Sequence, residues 1–221
     1  MIRIIVTNPF SEVYISFHID CFGRARRMSK KTPKIISDGR TGSEIAFALG
    51  CSSLGKVLVA RGANGICAIL LGDEPQRLIR DLGALFARDR LIGPGASPDA
   101  ALSSAVQEAV QEAIHAAEQA VEAPWRKFDL PLDIRGTEFQ RRVWRELREI
   151  PSGTTTSYTE IARRIGAPKA LRAVAGACAA NVLAIAIPCH RVLRSNGSLS
   201  GYRWGMERKR QLIEREQNHS A

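Results

Sequence analysis

The chain predicts an α/β fold in two parts: a small α/β unit over residues 42–125 and a mainly helical unit, built round a helix-turn-helix, over residues 136–217. Three observations predict it. Short apolar runs bounded by turn residues crowd the stretch after Glu44, two long helical stripes follow them, and the last third changes to short capped helices around glycine turns. Charge changes with the pattern. Residues 1–41 hold 8 Lys and Arg against 3 Asp and Glu, residues 42–125 hold 6 against 10, and residues 126–221 hold 18 against 9. The net charge of +10 is therefore concentrated at the two ends of the 221-residue chain.

The first 41 residues read as a basic tail or linker with little order, because Arg24 to Lys34 has no apolar periodicity; Met28 inside it is a conceivable alternative start. The runs Ile45–Leu49, Lys56–Ala60 and Ile66–Leu71 predict three strands, with Asn64-Gly65 as a tight turn because both residues tolerate positive φ. Asp73 is expected to open a helix that carries Pro75 in its first turn and Leu78, Leu82 and Phe86 on one face. After the breaker Gly93-Pro94-Gly95, a long alanine-rich helix is expected from Asp99, with Val106, Val110, Ile114, Ala117 and Val121 as its buried stripe. Nothing in this unit pairs a nucleophile with a base or clusters metal ligands, so its expected role is scaffolding.

Residues 126–135 read as an extended linker. Thr137-x-x-Gln140 is a capping box, and Phe139, Val143, Leu147 and Ile150 fall on one face of the helix it starts; Pro151-Ser152-Gly153 stops that helix. Ser157-x-x-Glu160 predicts a second box and a short helix through Ile161 and Ile165, ended by Gly166. Pro168 suits the first turn of the next helix, expected over Lys169–Ala180. Two short helices around a glycine turn are a helix-turn-helix, a nucleic-acid-binding arrangement.

The last of these helices is small on every side, with Ala170, Ala173, Ala175, Gly176, Ala177, Ala179 and Ala180, and Arg172 as its main long polar side chain. Such a helix can press close to a narrow groove with Arg172 as a wedge, or it can pack tightly in a small core. A basic block around it fits a polyanionic partner, since phosphate neutralisation supplies most non-specific nucleic-acid affinity; a merely solvated basic face fits the same charges.

Chemistry is expected at Ile187-Pro188-Cys189-His190-Arg191-Val192. A thiol attacks as thiolate, and an imidazole beside it, directly or through one water, is a common way to remove its proton. The preceding Val182–Ile187 run is aliphatic and β-branched enough to read as a buried strand or extended segment that would hold the thiol rigidly. A buried cysteine beside a structural histidine is the competing reading. The five cysteines are odd in number and form no CxxC pair, which argues against a disulfide framework and a zinc knuckle. No run is long enough to span a membrane, and the opening Met1–Val6 is too short for a signal peptide, so a cytoplasmic location is expected.

The signature at Cys189 resembles the active site of the O6-methylguanine-DNA methyltransferases. Agreement extends through Gly136-Thr137-x-Phe139, Thr155-Thr156-Ser157-Tyr158, Pro168-Lys169-x-x-Arg172-Ala173-Val174, Asn181 and Gly201-Tyr202-Arg203-Trp204-Gly205, covering roughly residues 42–217. Gly65–Asp73 and Leu130–Thr137 are similar to the methyltransferase half of bacterial adaptive-response proteins. The resemblance implies a ribonuclease H-like sheet in the first unit and a winged helix-turn-helix in the second. It implies irreversible, one-per-molecule transfer of the methyl group of O6-methylguanine, with O4-methylthymine as a second substrate, from flipped bases of double-stranded DNA, by a monomer that needs no cofactor and no metal.

Residue by residue, the resemblance makes Cys189 the methyl acceptor, His190 its water-mediated base and Glu216 the carboxylate that orients the histidine. Tyr158 corresponds to the residue that turns the 3′ phosphate and helps protonate the leaving guanine. Asn181 braces the turn carrying the cysteine. Arg172 fills the stack left by the flipped base, with Ala170, Ala173, Gly176 and Thr155 on the DNA face. Tyr202, Arg203, Trp204, Gly205 and Val192 wall the base pocket. Vertebrate members carry Tyr-Ser-Gly-Gly where this chain has Tyr202-Arg203-Trp204-Gly205, the bacterial form, a difference that bears on pocket width and bulky alkyl groups. The zinc-binding and promoter-binding parts of adaptive-response proteins have no counterpart here, so no regulatory function is expected. A multiple-turnover cysteine hydrolase and a DNA-binding regulator without transfer activity are the alternatives. Stoichiometry separates them.

Overall fold

A computed structural model describes residues 42–94 and 104–220. The basic tail and the expected helix start at Asp99 lie outside the described residues.

The three expected strands form: β1 (Glu44–Ser52), β2 (Gly55–Gly62) and β3 (Gly65–Gly72) pair antiparallel in sequence. A fourth, β4 (Arg90–Ile92), which no periodicity announced, adds parallel to β1 and makes the order β3-β2-β1-β4. Three residues are too few for a pattern. α1 (Pro75–Leu85) precedes β4, with Leu78, Leu82 and Phe86 buried as expected. Its N-cap is Glu74 rather than Asp73, because Asp73 is turned outward to the guanidinium of Arg208.

α2 (Ser104–Glu122) lies across β1 and β2 and buries Val110, Ile114, Ala117 and Val121. Val106, expected in the same stripe, is exposed at 37%. Glu118 and Glu122 fasten this helix by accepting the backbone N–H of Cys51 (2.8 Å) and Ser53 (2.7 Å). No helix among the described residues is long and apolar enough to cross a membrane.

The segment expected as an extended linker is docked at residues 131–133. Ile66 N–H donates to Pro131 O and Asp133 N–H to Ile66 O, both at 2.8 Å, so residues 131–133 run along β3. Gly65 permits the approach: at φ +133°, a Cβ there would meet Pro131 O at 2.5 Å. Arg135 fixes the exit, pairing with Asp133 at 2.8 Å and lying over the Phe86 ring.

α3 (Glu138–Arg148) starts with the expected capping box, Thr137 accepting from Gln140 N–H and Gln140 Oε1 accepting from Thr137 N–H. Val143, Trp144, Leu147 and Ile150 are buried, and Trp144 Nε1 donates to Ala177 O at 2.9 Å, which fixes α3 against α5 (Leu171–Ala180). Between them stand the short β5 (Thr156–Ser157) and α4 (Tyr158–Arg164). Ser157 caps α4, but only half of the expected box is made, since Glu160 turns to Arg163 and Arg164. Gly166 ends the helix at φ +69°. α5 starts two residues later than expected, because Pro168-Lys169 form a turn closed by Ala170 N–H to Ala167 O.

The Val182–Ile187 run is the main correction. It is buried throughout, but only Leu183 bridges β3; residues 184–186 form a turn with Ile185 at φ +69°. A helical turn, Cys189–Arg191, and β6 (Val192–Leu193), parallel to β5, follow; α6 (Met206–Ser220) closes the chain.

Candidate active site and nucleic-acid interface

The turn that carries the thiol is built by Asn181 from its side chain. Its Nδ2 donates to Ile187 O (2.9 Å) and Leu183 O (3.4 Å), its Oδ1 accepts from Leu183 N–H (2.9 Å), and Nδ2 also reaches Cys189 Sγ at 3.2 Å. β3 backs the turn: Ile69 N–H donates to Val182 O (2.8 Å), and Ala184 N–H donates to Ile69 O (3.0 Å). Cys189 is 4% exposed. Burial pushes its thiol pKa up, while the Asn181 amide and the charge of Lys209 pull it back. At rest the sulfur is a neutral thiol, and its nucleophilicity depends on a base.

His190 is fully buried, and its ring meets α6. Nε2 is 2.9 Å from Glu216 Oε1. Since a carboxylate only accepts, Nε2 carries the proton, and Nδ1, which has no hydrogen-bond partner among the described residues, is left as the basic nitrogen. Burial pushes the imidazole pKa down, against the pull of the Glu216 hydrogen bond and charge. Burial alone would raise the Glu216 carboxyl, but hydrogen bonds from His190 and Arg191 hold it below the usual carboxylate range. Arg191 grips both Glu216 oxygens through Nε and also donates to Ile150 O and Pro124 O. The thiol is thus held by the Asn181 amide, and the next residue carries a neutral imidazole paired with an ionised carboxylate.

The surface above is of a different kind. On α5, Val174, Ala177, Cys178 and Ala180 face the core, while Arg172, Ala173, Gly176 and Ala179 are exposed. Arg172 has no hydrogen bond or ion pair among the described residues. Tyr158, at the head of α4, is half-buried and its hydroxyl is 2.7 Å from Ser200 Oγ. Burial raises its pKa, and the Ser200 bond opposes this.

A family model described as the 6-O-methylguanine DNA methyltransferase DNA-binding domain matches residues 138–218. The bifunctional transcriptional activator/DNA repair enzyme Ada of Escherichia coli (strain K12) is 49% identical over 185 residues, which are 84% of this chain and 49% of that protein. A methylated-DNA–protein-cysteine methyltransferase of Mycolicibacterium paratuberculosis is 55% identical over 94 residues, 42% of this chain and 57% of that one. The chain spans about half the length of the curated relatives it matches. The crystal structure of Mycobacterium tuberculosis OGT in complex with DNA aligns with TM-score 0.61 and 33% identity, covering 78% of this chain and 93% of that one.

The chain belongs to the O6-methylguanine-DNA methyltransferase family.

For a chain of this family, the arrangement divides the sequence-predicted residues into three groups. Cys189 with Asn181 and His190 with Glu216 form two buried pairs, joined by the chain at Cys189-His190. Arg172, Ala173, Gly176 and Thr155 are exposed, with Ala170 half-buried at the N-cap of α5. Tyr202, Arg203 and Trp204 lie in the loop between β6 and α6, where Arg203 stacks on Trp204 (5.2 Å) and its Nη1 reaches Ala179 O (3.4 Å). Gly205 ends that loop at φ +103°. Val192 is wholly buried, and its carbonyl accepts from Lys209 Nζ at 2.5 Å.

Lys209 and Ser200 escaped the residue-by-residue reading. Lys209 is fully buried, and its Nζ also reaches Ser200 Oγ at 3.3 Å, so the ammonium, the serine and the Tyr158 phenol form a chain beside the thiol. Burial lowers the Lys209 pKa. A lysine at helical spacing in Arg208-Lys209-Arg210 reads from sequence as one more solvated charge. Its apolar neighbours Leu212 and Ile213, which face the core, were the available signal. No group of three or more His, Cys, Asp or Glu among the described residues could hold a metal ion.

Proposed function

We propose that this chain repairs DNA by transferring the methyl group of O6-methylguanine, and of O4-methylthymine, irreversibly to Cys189. The carrying observation is the two buried pairs Asn181–Cys189 and His190–Glu216 at adjoining residues, in a chain whose α5 exposes small residues and an unpaired Arg172. That M. tuberculosis OGT was crystallised in complex with DNA supports the same reading.

In this reading Cys189 loses its proton through a water to Nδ1 of His190, and Glu216 stabilises the imidazolium that forms. The sulfur attacks the methyl carbon in line. The S–CH3 bond forms as the CH3–O6 bond breaks, and that bond's electron pair stays with guanine, which takes a proton delivered by the Tyr158 phenol. S-methylcysteine and guanine are the products, so each molecule acts once. Asn181 holds the sulfur on target without taking part in the bond changes.

Double-stranded DNA is the partner. Ala170, Ala173, Gly176 and Thr155 lie along the minor groove, where small side chains permit close approach, and Arg172 takes the place of the flipped base. Tyr158 meets the 3′ phosphate. Tyr202, Arg203, Trp204, Gly205 and the Val192 backbone enclose the base. Residues 42–125 form a ribonuclease H-like domain, 126–135 the linker, and 136–217 a winged helix-turn-helix domain. The protein acts as a cytoplasmic monomer without cofactor.

The test is label stoichiometry on DNA carrying tritiated O6-methylguanine. One methyl per molecule, found on Cys189 and lost in Cys189→Ala while DNA affinity is kept, is the expected outcome. Many turnovers would identify a hydrolase, and binding without label a regulator.

A further inference from the structure

β5 and β6 pair in parallel with Thr156 opposite Val192 and Ser157 opposite Leu193. The next residue on each is Tyr158 and Arg194. The pairing therefore delivers these two side chains to the same end of one small ladder, and the positive charge of Arg194 acts on the Tyr158 phenol. Both are held. The phenol is tied to Ser200 at 2.7 Å. Arg194 opens a closed turn in which its N–H donates to Ser198 O (3.0 Å) and Gly197 N–H donates to Arg194 O (2.9 Å), with Gly197 at φ +77°. Asn196 Oδ1 locks the turn by accepting from Ser198 N–H and Oγ–H.

The guanidinium itself is exposed and has no hydrogen bond or ion pair among the described residues. Arg163 and Arg164, also exposed, pair with Glu160, and Arg210 pairs with Glu207, whereas Arg194, like Arg172, has no such partner among the described residues. An arginine fixed at its backbone, beside a phenol and without a counter-ion, presents a planar fork of donors to an anion from outside.

We propose that Arg194 is a phosphate-positioning residue, which with Tyr158 clamps one backbone phosphodiester of the DNA strand that carries the lesion. This rests on the methyl-transfer reading above and adds to it a second donor at the same phosphate. The clamp opposes rotation of the flipped nucleotide back into the stack, and it places a positive charge next to the phenol from which guanine draws its proton.

The experiment measures two quantities for the full chain and for Arg194→Ala, Arg194→Lys and Arg210→Ala. In a Cys189→Ala background, equilibrium affinity for lesion-bearing duplex is followed from low to physiological salt. In the active background, the second-order transfer rate on the same duplex is recorded. One lost phosphate contact reduces the slope of log K against log [salt] by about 0.9. Arg194→Ala is expected to show that reduction and a duplex rate lowered about tenfold, Arg194→Lys to regain the slope but only part of the rate, and Arg210→Ala to keep the parental slope. Equal melting temperatures verify the fold of each variant. A parental slope in Arg194→Ala, or one no different from that of Arg210→Ala, overturns the proposal. If the parent itself transfers no methyl group, the functional reading fails, whereas the slopes in the unreactive background still decide the clamp.

Discussion

Glu216 holds His190 through one oxygen and Arg191 through both, so a single carboxylate orients the base and neutralises a neighbouring cation. Glu216→Gln keeps the shape but not the charge. A positioned general base contributes about 10²–10⁴-fold to a rate, and its orienting partner a part of that. The variant is expected to transfer its methyl group about ten- to a hundredfold more slowly, not to lose transfer. A rate equal to the parent's in single-turnover kinetics would remove Glu216 from the mechanism. Acid should unfold the molecule from the same pair. His190 in the fold binds a proton less readily than its ordinary value of 6.5 allows, so its contribution to stability is full above that value and fades below it. Glu216, depressed in the fold, contributes fully above its ordinary 4.5 and loses that contribution as pH falls through the lower folded value. Both make the unfolded chain the better proton acceptor. The melting temperature is expected to be level above pH 7 and to drop progressively from about pH 6.5 downward; a rise on acidification would contradict the assignment.

At the scale of elements, α3 and the active-site turn differ in how far the amino-acid order discloses them. Thr137 and Gln140 are local signals with a local effect, so the start of α3 was legible, and Val143 and Leu147 are buried on the expected face, although the helix ends at Arg148, before Ile150, and Phe139 is only half-buried. The Val182–Ile187 run was not, because a continuous apolar stretch does not distinguish a buried strand from a buried turn. What decides it is Asn181, whose amide takes the place of backbone partners, and the left-handed conformation of Ile185, a position that costs roughly 1–2 kcal/mol for a residue other than glycine. Neither carries a period. Lys209 was missed for a related reason, since a charge has no pattern that marks it as buried.

The small-residue face of α5 was legible from composition, and its test belongs to this scale. Arg172→Ala leaves the helix intact but is expected to slow reaction with duplex more than tenfold, because base extrusion must compete with stacking worth a few kcal/mol. On free O6-methylguanine base the loss should be small. Equal losses on both substrates would make Arg172 a support of the fold or pocket.

Across the whole molecule, the sheet and the helical part are joined by more than a connecting chain. Four backbone hydrogen bonds link β3 to residues 131–133 and 182–184, each worth about 0.5–1.5 kcal/mol net. Arg208 adds Leu54 O and Asp73 on the sheet side, and Arg215 adds Val121 O and Ser53. Residues 126–221 produced alone are therefore expected to melt early and to transfer at least tenfold more slowly than the full chain, since the turn beneath Cys189 loses its backing. A fragment with the parental rate, by labelling and circular dichroism, would make the sheet dispensable to the chemistry.

The same row of bonds has a consequence for solubility. β3 is the outermost long strand of its sheet, and the opposite margin, β4, is only three residues long. A free outer strand rich in Ile, Leu and Ala is a template on which another chain can assemble. Here the row is taken up by the chain's own residues 131–133 and 182–184, so the contact that sets the cysteine also shields the molecule from strand-to-strand aggregation. Any lesion that loosens the turn, at Asn181 for example, would expose that strand as it disarms the thiol, and loss of repair and precipitation would then arrive together.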